Sequence, residues 1–292
     1  VEEKIKSLFR HKFILAGTIL VLIFIIPLGQ LLRFSLGDEL YSFIPLMPLI
    51  SGYLIWIKRK NLPREFSPAP GAATIFFVFG AVVIGWFWFS FRSANLAIEN
   101  KLAVTTLAFL LFLTSLGFWF LGKKIMRALA FPMAMLIFML PWPGFLRNPI
   151  DTGLQHGSAV AADWMFTLTN VPVLRDGLFF QLPDITLQVA PECSGIHSTV
   201  VLLITSLVAG YIFFEAGWRR AVLTLAVIPL AILRNGFRIF VIGQLCARIG
   251  PQMIDSPIHH HGGPLFFVLS LIPFFLLLYF LKKSEHTKVS ID

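Results

Sequence analysis

Residues 103–121 read AVTTLAFLLFLTSLGFWFL, nineteen positions without one charged side chain. Crossing the hydrocarbon core of a bilayer takes ~20 mainly apolar residues in a helix, and a helix that is apolar all round has no face to turn to water. Similar runs lie near 13–32, 40–57, 74–93, 126–142, 197–214, 219–245 and 265–281, which predicts eight spans. The 126–142 run is the least regular, interrupted by Pro132 and ending at Pro141 and Pro143. The run at 13–32 is longer than a signal-peptide core and lacks a small-residue cleavage pattern, so it reads as a retained anchor.

Composition agrees with that reading. The 292 residues are 57% hydrophobic and 13% charged, with a mean hydropathy of +0.81, against ~45–50% apolar and ~25% charged in an average soluble domain. So much apolar surface excludes a single soluble core, and 31 Phe and 18 Pro suit lipid-exposed helices and broken helix ends. The expected fold is an all-α polytopic membrane protein of about eight transmembrane helices. No repeat, low-complexity tract or linker divides it, so 1–292 reads as a single membrane-embedded domain.

The net charge of +9 would suit nucleic acid only if it formed a basic face on a soluble fold; here it sits in short clusters between apolar runs, and nucleic acid is not an expected partner. The clusters act as topology signals instead. With the N-terminus inside, cytoplasmic segments hold Lys4, Lys6, Arg10, Lys12, Lys58, Arg59, Lys60, Arg64, Lys123, Lys124, Arg127, Arg219, Arg220, Lys282, Lys283 and Lys288, sixteen of the 24 basic residues. Both termini are therefore expected in the cytoplasm. Two cysteines, Cys193 and Cys246, are too few for a disulfide scaffold, although one bond between them stays open if both face an oxidising compartment.

The longest non-spanning stretch, about 143–196, then falls outside. Between Asp151 and Asn170, Leu154, Val160, Ala161, Trp164 and Leu168 alternate with Gln155, His156 and Asp163, predicting an amphipathic helix on the membrane surface. From Val173 to Val189, turn signals at Asp176-Gly177 and Pro183-Asp184 flank short alternating runs and predict a small β-hairpin.

Three motifs carry chemical potential, all on this outer side. Pro191-Glu-Cys-Ser-Gly-Ile-His197 leads into the sixth span. Backbone N–H groups at a helix start stabilise a thiolate, so Cys193 is placed as a nucleophile, or is a small buried residue. His197 either faces the sulfur or caps the interface. Leu233-Arg-Asn-Gly-Phe-Arg238 lies late in the seventh span, where an arginine at a helix centre costs ~2.5–3.5 kcal/mol. Arg234 and Arg238 share a helix face and either snorkel to headgroups or hold a carboxylate or oxyanion. Ser256-Pro-Ile-His-His-His-Gly-Gly-Pro264 precedes the last span. Imidazole there can serve as general base. A metal site is disfavoured, since adjacent residues point apart and no Glu or Cys stands at ligand spacing.

Taken in order, the outer Gly177 hairpin leading to Glu192-Cys-Ser-Gly195, then Arg234-Asn-Gly-Phe-Arg238-Ile, then a His followed by Gly and an aromatic-rich last span resemble the exosortase/archaeosortase family, over about residues 100–281. Members are membrane cysteine transpeptidases that process C-terminal sorting signals of the PEP-CTERM type. The resemblance implies Cys193 as nucleophile, Arg238 as the family arginine and His259 as the family histidine, in a catalytic part spanning about 143–281. Arg234, Asn235, Ser194, Gly195, His197, Glu192, His260 and His261 are possible supporting residues. Pro264 stands where the family has Trp, which leaves open which of the three histidines is the base. No metal or other cofactor is implied. The partners implied are membrane-anchored proteins with a C-terminal sorting signal, an unidentified lipid or polysaccharide acceptor, and membrane lipids. The setting implied is a multi-pass protein of the bacterial inner membrane with its site on the extracytoplasmic side, and the topology would serve an archaeal membrane equally well. Two other classes fit parts of the pattern. A transporter or non-catalytic component of polysaccharide export would use the arginines on an anionic lipid-linked sugar, and a metal-dependent hydrolase would use His259 to His261.

Overall fold

The computed structural model describes residues 2–63, 67–91, 97–182, 185–190, 194–256, 258 and 262–289, with side chains given for all of these except 2–10, 90, 91, 255 and 285–289. The chain forms two compact units, Val1–Gly144 and Phe145–Asp292.

The first unit contains α1 (Glu2–Ile23), α2 (Ile25–Gly37), α3 (Leu46–Lys58), α4 (Pro70–Phe91), α5 (Ile98–Phe120), α6 (Gly122–Ala128) and α7 (Ala130–Met135), with 3₁₀ turns at Glu39–Tyr41 and Leu136–Met139. Proline decides where its apolar runs break. Pro27 is the third residue of α2 and Pro132 the third of α7. Each lacks the N–H that would bond the carbonyl four residues earlier, and its ring crowds that carbonyl. The preceding helices accordingly end at Ile23 and Ala128, and the Ala128 carbonyl accepts from Lys58 Nζ at 3.4 Å instead. Hydroxyls tie neighbouring helices through backbone carbonyls. Ser51 Oγ donates to Pro132 at 2.8 Å and Ser115 Oγ to Ala73 at 2.8 Å.

The second unit begins with α8 (Gly144–Leu168), followed by strands β1 (Leu174–Asp176), β2 (Phe179–Gln181) and β3 (Thr186–Gln188), then α9 (Ile196–Phe213), α10 (Gly217–Leu225), α11 (Val227–Arg248), a 3₁₀ segment at Pro251–Asp255 and α12 (Gly263–Val289). Here too a proline, Pro229, is the third residue of α11, and α10 ends four residues before it at Leu225. Arg220 closes the end of α9, donating through Nε and Nη2 to the Phe214 carbonyl at 2.9 and 2.6 Å. Arg219 Nη2 donates to the Ser284 carbonyl of α12 at 3.2 Å.

Six helices among the described residues are long and apolar enough to cross a membrane: Glu39–Lys58, Pro70–Phe89, Ile98–Phe120, Ile196–Phe213, Gly217–Arg248 and Gly263–Ser284. Eight result if each of two bent pairs is one span, His11–Ile23 with Ile25–Gly37 (67°) and Ala130–Met139 with Gly144–Leu168. The chain is thus a multi-pass helical membrane protein with a small sheet. The first, fifth and seventh predicted spans are divided, at Phe24, Leu129 and Ala226, for the proline reason above.

Two elements expected on the outer side differ from expectation. The predicted surface helix starts at Gly144 rather than Asp151, and its apolar set divides between two faces. Leu154 and Ala161 are buried with Ser158, Ala159, Ala162 and Phe166. Val160, Trp164 and Leu168 stay exposed at i, i+4 spacing. The small side chains let α11 approach so closely that a Cβ on Gly236 would lie 2.6 Å from Ala161 Cβ and 3.0 Å from the Ser158 carbonyl. The predicted hairpin is a three-stranded antiparallel meander in the order β1-β2-β3. Gly177, φ +60°, opens its first two-residue turn, as primed turns require. The turn residues Pro183 and Asp184 lie outside the described residues. Phe180, Leu182, Leu187 and Val189 form one buried cluster with Phe166, Ile239, Ile242 and Cys246. Cys246 is a buried thiol; Cys193, its possible partner in the disulfide left open by the sequence, lies outside the described residues.

Candidate functional site

The site is built where the chain enters α9. Gly195 takes φ +70° there, and a Cβ on it would stand 2.7 Å from Arg234 Nη2 and 3.3 Å from Asn235 Oδ1. Both the backbone conformation and the space demand glycine. Ser194, only 1% exposed, accepts the Ile196 N–H at 3.3 Å, satisfying one of the amides that a helix start leaves unpaired.

The Gly195 carbonyl is where the local bonds converge. It accepts from the Thr199 amide at 3.0 Å, Thr199 Oγ1 at 2.8 Å, Ser198 Oγ at 3.1 Å and Arg234 Nη2 at 3.1 Å. Arg234 Nη2 also lies 3.4 Å from Thr199 Oγ1. A guanidinium from the middle of α11 therefore fastens the first turn of α9, and in a low-dielectric interior such a charge-assisted bond is among the stronger ones. Arg234 and Asn235 are both buried, at 8% and 2% exposure. The Nη1 atom of Arg234 is buried too and has no hydrogen-bond partner among the described residues.

Arg238 follows one turn later on α11 and is half-buried; the i, i+4 spacing sets it on the same helix face as Arg234. Between them Gly236 serves a different neighbour, the small-residue face of α8. The motif Arg-Asn-Gly-Phe-Arg thus divides its labour: Arg234 and Asn235 meet the start of α9, and Gly236 admits α8. His197 is half-buried in the first turn of α9.

Of the residues singled out by sequence, the structure brings Gly195, Arg234 and Asn235 together, with Ser194 buried beside them. Glu192, Cys193, His259, His260 and His261 lie outside the described residues. Ser198 and Thr199 were not among the expected site residues. Their signal was present as hydroxyls three and four positions after a glycine at a helix start, the spacing that reaches back to that glycine's carbonyl.

Comparison with curated proteins and with solved structures found no match. Comparison with protein families gave a match to the transmembrane exosortase family over residues 33–276. It begins well before residue 100, where the resemblance of individual motifs sets in, so α3, α4 and α5 belong to the shared pattern and are more than generic apolar helices. With most of its length covered, from late in α2 to well into α12, the chain belongs to the transmembrane exosortase family.

Proposed function

We propose that this chain is a membrane cysteine transpeptidase that cleaves proteins near a C-terminal, PEP-CTERM-like sorting signal and passes them to an acceptor through a thioester. The observation that carries the reading is the fastening of Gly195, two residues after Cys193, to Arg234 of the Arg-Asn-Gly-Phe-Arg motif, in a chain of this family. A nucleophile needs a fixed backbone, and the rigid first turn of α9 supplies one next to it in sequence.

In this reading the Cys193 thiolate attacks the substrate's scissile carbonyl, forming the Sγ–C bond. Arg238 stabilises the negative charge that develops on the carbonyl oxygen, and the buried Nη1 of Arg234 is a second donor on the same helix face. Collapse breaks the C–N bond, His259 delivers a proton to the departing amine, and the C-terminal tail leaves. An amine or hydroxyl acceptor then attacks the thioester and gives up its proton to His259, and the Sγ–C bond breaks to restore the Cys193 thiolate beside protonated His259; water in its place would make the enzyme a protease. The basic clusters support cytoplasmic termini and an extracytoplasmic site, in a cell membrane and, by family, a bacterial inner membrane. Substrates would be membrane-anchored proteins reaching the site laterally through lipid, with a lipid or polysaccharide as acceptor.

The intermediate is the direct test. Protein incubated with a tailed substrate without acceptor, quenched in acid and digested, should carry the truncated substrate on the Cys193 peptide, and hydroxylamine should release it. Substrate trimming with no adduct at Cys193 under any quench, and none sensitive to hydroxylamine, would overturn the reading.

A further inference from the structure

Strand β3 stands at the edge of its sheet, and the register shows which way its backbone points. Phe180 pairs with Leu187. The bonds Leu182 N–H to Ile185 at 2.9 Å and Val189 N–H to Leu178 at 2.9 Å lie two residues to either side of that pair. In an antiparallel ladder, hydrogen-bonded and non-bonded pairs alternate. The bonded pairs therefore use Ile185, Leu187 and Val189, and Thr186 and Gln188 aim their N–H and C=O groups away from β2.

Both residues are exposed. The Gln188 carbonyl accepts the Ala190 N–H at 3.0 Å. Among the described residues no hydrogen bond reaches the N–H or carbonyl of Thr186 or the N–H of Gln188. Among the described residues, three backbone groups in the spacing of a strand thus have no partner on one edge. The opposite edge, at β1, offers only the outward groups of Arg175, whose side chain is held by Gly177 at 2.9 Å and Asp163 at 3.7 Å.

What distinguishes the β3 edge is its position in the chain. Cys193 follows Gln188 by five residues, a reach of at most about 17 Å. A five-residue extended peptide covers about the same length. We propose that the open edge of β3 takes an extended segment of the protein substrate as a fourth strand and so brings its scissile bond within reach of Cys193. Recognition in this mode is by main-chain hydrogen bonds, and the outward side chains of β3, Thr186 and Gln188, are polar and uncharged. The proposal rests on the reading of Cys193 as the nucleophile of a peptide reaction.

The test uses full-length protein in lipid nanodiscs and a lipid-anchored peptide with a cleavable tail. Proline at 186 removes an outward N–H and no β2–β3 bond, because Thr186 faces Gln181 at a non-bonded pair. Thr186→Pro should raise KM about tenfold, the loss of one such hydrogen bond, while alkylation of Cys193 by a small thiol reagent keeps its wild-type rate; Thr186→Ala should stay within about twofold. On wild-type enzyme, N-methylation of successive substrate residues should raise KM at every second position, because only alternate residues of an added strand face its neighbour. Cys193-dependent cleavage with a flat N-methyl scan, and Thr186→Pro equal to Thr186→Ala, would overturn strand addition and leave the cysteine chemistry standing. Cleavage unaffected by Cys193→Ala would instead remove the chemistry on which the proposal rests. Should the edge pair with a second copy of this chain, Thr186→Pro would abolish a dimer seen by native mass measurement and leave KM unchanged, which also overturns it.

Discussion

Gly195 and Arg234 are mutually dependent residues: the glycine makes room for the guanidinium, and the guanidinium holds the glycine's carbonyl. Gly195→Ala would place a side chain at φ +70° and 2.7 Å from Nη2, a strain of ~1–3 kcal/mol. Thermal unfolding of the purified variant should show that loss, and processing of a tailed substrate should fall with it; a variant as stable and as active as wild type would mean the clamp is idle. At this scale the sequence was readable in part. Arginines inside an apolar span announce themselves because they are costly there, and Cys193-Ser-Gly stands out before a helix. The hydroxyls of Ser198 and Thr199, three and four positions after Gly195, point back to its carbonyl in the sequence itself, but that Arg234 joins them there was not readable, since a backbone acceptor 39 positions away leaves no trace in residue type. The roles proposed for Cys193 and His259 follow from the resemblance of motifs alone, since both residues lie outside the described ones.

Elements show the same division between what pattern reveals and what packing adds. Hydropathy finds the apolar runs, but it averages across the points where α1 meets α2 and α10 meets α11, because Pro27 and Pro229 are themselves compatible with apolar surroundings. Only the missing N–H at the third position of each following helix marks the break. For α8 the periodicity announced a helix, but not that it packs inside the protein as well. Trp164 and Leu168 stay exposed, and the side that packs on α11 is made of small residues, Ser158, Ala161 and Ala162. Close helix approach in membranes selects small residues over large ones. Gly236→Ala is the corresponding test. Its methyl would meet Ala161 Cβ at 2.6 Å, so the variant should be destabilised by ~1–3 kcal/mol, read as a lower unfolding midpoint in detergent. An unchanged midpoint would show that the α8–α11 contact is looser than described.

The whole molecule joins a membrane fold legible from composition to a topology read from charge. Arg219 and Arg220 illustrate how one residue serves both levels: counted as cytoplasmic charges, Arg220 also caps α9 at the Phe214 carbonyl and Arg219 ties in α12 at the Ser284 carbonyl. If the basic clusters face the cytoplasm, cysteine introduced at the exposed Asp176 beside the β1–β2 turn should react with a membrane-impermeant reagent in intact cells. Cysteine at the exposed Lys60 should react only after permeabilisation, both in a chain lacking Cys193; the reverse pattern would invert the topology and move the site to the cytoplasm. The family match extends through α3, α4 and α5, and all the described residues of the candidate site lie in the second unit.

The proposed function stands or falls on Cys193 performing peptide chemistry. The most direct measurement is the intact mass of a membrane-anchored protein carrying a C-terminal sorting signal, co-expressed with wild-type enzyme or with Cys193→Ala. Wild type should remove the tail, with any added mass identifying the acceptor, and Cys193→Ala should leave the substrate whole. Equal trimming by both would make Cys193 a structural residue and overturn the cysteine mechanism.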